Sequence, residues 1–535
     1  MLQKIITLLR TTTPAGILAL GLLLTTILVA QGQQPAPTTA PPAAVPTLVQ
    51  VDGGMVRGTA ANDLIVFKGI PFAQPPVGAL RWRAPQPVMP WQGVLEASGF
   101  RSDCVQPLSK GTSEDCLYAN VWRPAAATDK PLPVMVWIYG GGLVRGGASL
   151  YPGDFLARQG LVVVSFNYRL GRLGFFAHPA LADEEPNAPR GNYGYMDQIA
   201  ALQWVKRSIA AFGGDPNNVT IAGESAGGGS VLVLLTSPMA RGLFHRAILQ
   251  SPGIPTPRAG AAPMRDLAVA ESIAVEYARD AGIENDQAAL TALRALPAET
   301  LSSGTEGYVS AIFGGPEIPG LSHSIIDGRL VVETPARALW AGRQAMVPVL
   351  VGANDADLAS SPAQTRDALF APFGVLASQA RTLYDPRGDA SLKALIQAII
   401  ADGVMVEPSR HLAEVMARAG QPAYFYRFSY VPELHRGQVP GAAHAAEIVF
   451  IFDAVTALPK EKASTADIAM GHTISGYWTA FVKTGNPNGG GRVTWPRYDP
   501  ATGNVLHFTN EGVTVGADPL KARLDLWQSV WEQGR

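Results

Sequence analysis

Short apolar runs rich in β-branched and aromatic residues recur along the chain: "PVMVWIY" (133–139), "LVVVSFNY" (161–168), "NVTIAG" (218–223), "RAILQS" (246–251), "VPVLVG" (347–352) and "AYFYRFS" (423–429). Their near-continuous apolar character predicts strands buried on both faces. Longer stretches with helical spacing lie between them. In "MDQIAALQWVKRSIAAF" (196–212), for example, Ile199, Leu202, Trp204, Val205 and Ile209 recur at the helical period. Strands separated by helices predict an α/β fold, in which a central, mostly parallel twisted sheet is flanked by helices on both faces. Residues 255–345 and 360–420 follow neither period and are read as helical cap and loop insertions over the site.

The first residues follow a different pattern. Lys4 and Arg10 precede an apolar run from Pro14 to Ala30 that ends in "LVAQGQQ", the layout of an export signal over residues 1–32 with cleavage near Ala30 or Gly32. The alternative is an uncleaved membrane anchor, because about 17 apolar residues is the shortest span that crosses a bilayer. A Pro- and Ala-rich linker (33–47) follows, and the folded region is expected from Leu48 to the end, residues 48–535. Export would place the protein in the periplasm or outside the cell, with no membrane partner after cleavage. It would also favour a disulfide between the only two cysteines, Cys104 and Cys116, over two free thiols.

Composition narrows the chemistry. With 47% hydrophobic and 16% charged residues the chain can bury a large core, and 42 basic against 43 acidic residues leave a formal charge of −1. No like-charge block offers a phosphate-binding stripe, which argues against nucleic acid as a partner. The patterns GxGxxG, GxxxxGK[ST], CxxC and HExxH are all absent, so nothing in the sequence calls for a cofactor or a metal.

G-x-S-x-G occurs once, at Gly223, Glu224, Ser225, Ala226 and Gly227, between a predicted strand and the helical "SVLVLLT" (230–236). A serine on such a turn is presented above the carboxyl end of a sheet, which makes Ser225 a candidate nucleophile. A serine hydroxyl needs an adjacent base, and the base needs a group that fixes its tautomer. Of eight histidines, His444 in "PGAAHAAEIVF" lies in a small-residue loop before an apolar helical start, whereas His435 lies in a polar stretch beside Glu433 and Arg436. For the acid, "VPVLVGANDADLA" places Asp355 and Asp357 in a loop after a strand, and the order serine, acid, histidine is that of α/β-hydrolases. Three consecutive glycines in "WIYGGGLVRGG" (137–147) let a carbonyl oxygen approach backbone N–H groups, with Ala226 N–H as a further donor.

These residues belong to a longer series. The chain resembles the type-B carboxylesterase and cholinesterase family through "FKGIPFAQPPVGALRW" (67–82), "SEDCLYANVW" (113–122), "NYRLGRLGFF" (167–176), "GNYGYMDQIAALQWV" (191–205), "FGGDPNNVTIAGESAGG" (212–228) and "KTGNPN" (483–488). The resemblance implies hydrolysis of small-molecule carboxylic esters, with no cofactor, by Ser225 as nucleophile, His444 as base and Asp357 as orienting acid. Asp357 departs from the glutamate common at this position, and Asp355 remains the alternative. The resemblance further implies oxyanion donors at Gly141, Gly142 and Ala226, and polar support from Glu224, Ser251 and Glu447. It implies ion pairs Arg81–Glu114 and Arg169–Asp197, and the Cys104–Cys116 disulfide. Leu143 stands where an aromatic residue is common, and "ADLASSP" has no ring for a quaternary ammonium. Amide, carbamate or polyester cleavage by the same groups, and a non-catalytic adhesion role, are the competing readings.

Overall fold

The computed structural model describes residues 46–186, 188–253, 264–284, 288–308, 316–459 and 461–533. The proposed export signal and most of the linker lie outside the described residues.

Eleven strands form one sheet. They are β1 (Thr59–Ala61), β2 (Leu64–Pro71), β3 (Tyr118–Pro124), β4 (Leu132–Ile138), β5 (Val162–Phe166), β6 (Gly214–Glu224), β7 (Arg246–Gln250), β8 (Val349–Asn354), β9 (Ala423–Phe428), β10 (Asn504–Thr509) and β11 (Gly512–Ala517). Their order is β11-β10-β9-β8-β7-β6-β4-β5-β3-β2-β1. Every pairing from β10 to β5 is parallel. The strands at both margins pair antiparallel. The six apolar runs read from the sequence supply β4 to β9, six of the seven strands joined in parallel. Every residue of β5, β8 and β9 is buried, as strands covered on both faces require.

The helices that matter for the site are α1 (Tyr193–Ser208), α2 (Ala226–Thr236), α3 (Glu407–Arg418) and α4 (Thr465–Thr484). Helix α2 leaves directly from the end of β6, and close packing explains its small residues. A Cβ on Gly227 would overlap the Ile138 carbonyl oxygen, and one on Gly228 would lie 2.7 Å from the Gln250 carbonyl oxygen. Alanine at either position would push the helix off the strand ends.

Two buried ion pairs fix loops at this end of the molecule. Arg169 grips Asp197 on α1 at 2.8 and 2.7 Å, and both side chains are fully enclosed. Arg81 grips Glu114 at 2.7 and 2.5 Å and donates to the Arg294 and Leu296 carbonyls, pinning a distant helical segment. Cys104 and Cys116 form a disulfide next to this cluster.

Candidate active site

The ends of four mutually parallel strands converge on one serine. Ser225 follows β6 with φ 58° and ψ −128°, a conformation that side-chain-bearing residues rarely adopt and one typical of strained functional turns. Its N–H is tied to the Gln250 carbonyl at 2.9 Å, so the neighbouring strand β7 holds the turn in place. The bend swings the side chain off the strand line, and its hydroxyl lies 2.8 Å from His444 Nε2. His444 sits in the loop after β9, and its Nδ1 is 2.5 Å from Asp357 Oδ1.

Asp357, in the loop after β8, is 1% exposed, and its carboxylate is fully occupied. Oδ1 also accepts the Leu358 N–H at 2.7 Å, while Oδ2 accepts the Ser251 hydroxyl at 2.5 Å and the Asn354 N–H at 3.1 Å. This shell accommodates the shorter aspartate, because the β8 loop lies close enough for direct contact with the imidazole. Asp355 has a different partner. It accepts the Ala442 N–H at 2.7 Å and so fastens the loop that carries His444.

The electrostatics pull in opposing directions. Burial pushes the His444 pKa down, but the Glu224 and Asp357 carboxylates outweigh burial and hold the imidazole up at about 10. Burial raises Asp357, yet the imidazolium charge and the hydrogen bonds from His444 and Ser251 bring it below its ordinary value. Glu224 is pushed up to about 8 by burial, with His444 opposing and Glu447 and Asp357 adding to the rise. Glu224 Oε1 stands 3.3 Å from His444 Nε2 on the side of the reacting hydroxyl.

Behind the triad lies a buried polar layer that sequence reasoning found only in part. Glu447 takes hydrogen bonds from Gln250 at 3.0 Å and Asn354 at 2.7 Å, and the Trp478 indole donates to Gln250 at 3.2 Å. Asn354 also holds the Ala443 carbonyl at 2.7 Å, next to the histidine. Glu447 thus bonds to Gln250 and Asn354, with no hydrogen bond to the imidazole, and Ser251 bonds to Asp357. Gln250, Asn354 and Trp478 escaped the sequence reading, although Asn354 stands in the quoted "GANDADLA". Polar residues at strand ends look like ordinary turn residues until the fold brings them together.

The glycine turn after β4 completes the arrangement. A Cβ on Gly140 would lie 2.6 Å from the Glu224 carbonyl oxygen and 2.9 Å from Ser225 Cβ, so only glycine permits this approach. Gly142 has φ 66°, and the Tyr308 ring packs directly against it. Among the described residues no protein acceptor takes the N–H of Gly141, Gly142 or Ala226. Taken together, the site has a hydroxyl, an imidazole in hydrogen-bond contact with it, a buried carboxylate on the far side of the imidazole and, among the described residues, N–H groups without a protein acceptor. That set can perform acyl transfer.

Comparison with known proteins agrees. The model of the family described as "Carboxylesterase family" matches residues 45–372 and 374–527. The chain is 36% identical to fumonisin B1 esterase of Sphingopyxis macrogoltabida, covering 90% of this chain and 92% of that protein. It is 34% identical to liver carboxylesterase 1 of Oryctolagus cuniculus, covering 88% and 90%. It is 35% identical to para-nitrobenzyl esterase of Bacillus subtilis (strain 168), covering 88% and 96%. A solved structure of a PNB esterase superposes with TM-score 0.76 at 32% identity, covering 90% of this chain and 99% of the other. The chain therefore belongs to the carboxylesterase family, has the α/β-hydrolase fold, and is a serine ester hydrolase acting on small-molecule carboxylic esters.

Proposed function

We propose that Ser225, His444 and Asp357 carry out this hydrolysis through an acyl-enzyme. His444 Nε2 takes the Ser225 proton as the hydroxyl oxygen attacks the ester carbonyl, and the N–H groups of Gly141, Gly142 and Ala226 hold the resulting oxyanion. His444 then protonates the departing alcohol. Water repeats the two steps on the acyl group and frees Ser225. Asp357 keeps the Nδ1–H tautomer and stabilises the imidazolium. Glu224 adds a second carboxylate facing Nε2, and Ser251 and Glu447 hold the acid and the loops around it.

The observation that carries this reading is the unbroken chain of hydrogen bonds from Ser225 Oγ through His444 to Asp357, at 2.8 and 2.5 Å. The test is hydrolysis of p-nitrophenyl butyrate by the wild type and by Ser225→Ala. Loss of turnover in the variant is expected, and wild-type turnover would refute the assignment.

Export is the accompanying reading. A disulfide among the described residues and the basic-apolar-small layout of residues 1–32 support a secreted or periplasmic protein with a cleaved signal. No helix among the described residues is long and apolar enough to cross a membrane. N-terminal sequencing of the mature protein after expression in a bacterium decides this: a start near residue 31 or 33 is expected, and an intact Met1 would overturn it.

A further inference from the structure

The glycine turn carries a cation that the triad does not use. Arg145 follows three residues after Gly142, and its side chain runs back along the turn, with Cγ 3.2 Å from where a Gly141 Cβ would stand. Its guanidinium lies over the Tyr308 ring, 5.3 Å from the centroid. Tyr308 is itself 6% exposed, is clustered with Val144, Ile318 and Leu321, and rests on Gly142. The ring is thus a fixed seat that connects the arginine to the oxyanion donors.

Arg145 is exposed, and among the described residues no carboxylate lies within ion-pair distance of it. Arg265 is different, since it is paired with Glu317. A guanidinium held over an aromatic ring beside a reaction centre, with no carboxylate partner among the described residues, is pre-organised to take a planar anion through two parallel N–H donors.

We propose that Arg145, seated on Tyr308 beside the glycine turn, selects esters that carry a carboxylate, pairing with that group while the ester carbonyl lies at Gly141 and Gly142. This inference rests on the triad reading above. A carboxylate separated from the ester carbonyl by three or four methylenes stands ~5–6 Å away, the scale of an arginine side chain reaching back along the turn. The structure leaves open two places for the carboxylate, the acyl chain and the leaving alcohol, and both present the same chemistry to the guanidinium.

Two pairs of substrates separate these sources. p-Nitrophenyl hydrogen adipate against p-nitrophenyl hexanoate places the charge on the acyl side. 4-Carboxyphenyl hexanoate against 4-acetylphenyl hexanoate places it on the leaving group. The readout is the ratio of kcat/KM for the charged over the neutral member, after subtraction of spontaneous hydrolysis. In Arg145→Gln the ratio is expected to fall about tenfold for one pair, and Arg145→Glu should lower it further. Arg145→Lys, which keeps the charge and loses the planar fork, should retain part of the preference. Raising salt from about 0.05 to 0.5 M should reduce the wild-type ratio and leave that of Arg145→Gln nearly constant.

A fall confined to the adipate pair assigns the carboxylate to the acyl group, and a fall confined to the carboxyphenyl pair assigns it to the alcohol. Identical ratios in the wild type, Arg145→Gln and Arg145→Glu for both pairs would overturn the proposal. Hexanoate hydrolysis that survives Ser225→Ala is a separate outcome, and it would remove the triad reading and this inference together.

Discussion

Replacing Asp357 by asparagine probes the most crowded carboxylate in the site. Four donors meet it, His444 Nδ1 and Leu358 N–H on one oxygen, Ser251 Oγ and Asn354 N–H on the other. An asparagine amide has one oxygen and one NH2, so in either orientation its NH2 faces a backbone N–H. If the NH2 replaces Oδ1, it opposes Leu358 N–H and forces His444 Nδ1 to accept. The proton then moves to Nε2, which can no longer take the Ser225 proton, and a wrong tautomer of this kind costs about 10⁴ in kcat. If the NH2 replaces Oδ2, it opposes Asn354 N–H while Ser251 can turn its hydroxyl to accept. The tautomer survives, and only the charge opposite the imidazolium is lost, a charge-assisted hydrogen bond of about 1.5–3 kcal/mol or ~10- to 150-fold.

The expected fall in kcat therefore lies between ~10 and 10⁴, set by which backbone N–H the amide NH2 opposes, because Ser251 adapts but neither backbone N–H can. The assay is steady-state hydrolysis of p-nitrophenyl butyrate, with far-UV circular dichroism to show that the variant is folded. Asp355→Asn is the paired control. Its amide oxygen can still accept the Ala442 N–H, so its kcat should stay within about threefold of wild type. A folded Asp357→Asn enzyme with near wild-type kcat, or a larger loss in Asp355→Asn, would refute the reasoning.

Three further outcomes follow from the geometry. The Glu224 charge is the first of the influences that hold the His444 pKa up against burial, with Asp357 acting by charge and hydrogen bond and Glu447 by charge, and the base must be neutral to act, so the acid limb of kcat/KM should lie above 6.5 in the wild type. Glu224→Gln should move that limb about one pH unit lower, and a limb that stays or rises would contradict the assignment. Gly142→Ala would drive a Cβ into the Tyr308 ring and strain a φ of 66°, displacing an oxyanion donor. Its kcat should fall ~10²- to 10³-fold with KM little changed, as steady-state kinetics would show. Joint replacement of Cys104 and Cys116 by serine opens a loop with sequence separation 12 and should lower unfolding stability by about 3 kcal/mol, measured by urea titration.

The sequence reading reached the parallel centre of the sheet because those strands are buried on both faces and read as plain apolar runs. It did not delimit the marginal strands. Strand β3, "YANVWRP", mixes Asn120 and Arg123 with apolar residues. Strand β10 mixes buried with half-buried residues, and the edge strand β11 buries none, so neither reads as a plain apolar run. In the site, Ser225 and the glycine turn were legible because their backbone geometry demands small neighbours in a fixed local order. His444 was singled out by its loop context. The partition between Asp355 and Asp357 was not legible from spacing alone, since both follow the same strand and only the fold shows which one faces the imidazole. Gln250, Asn354, Tyr308 and Arg145 make contacts between segments up to 228 residues apart, and no local pattern marks such pairs.

The most direct test of the central claim is to label the nucleophile with a reagent that phosphonylates an activated serine, expels fluoride and is not turned over. The protein is treated with a fluorophosphonate ester probe, digested, and its peptides are mapped by mass spectrometry. The account predicts one adduct per chain, carried by Ser225, and no adduct in Ser225→Ala. Labelling at another residue with loss of activity, or full esterase activity in a protein modified at Ser225, would contradict it.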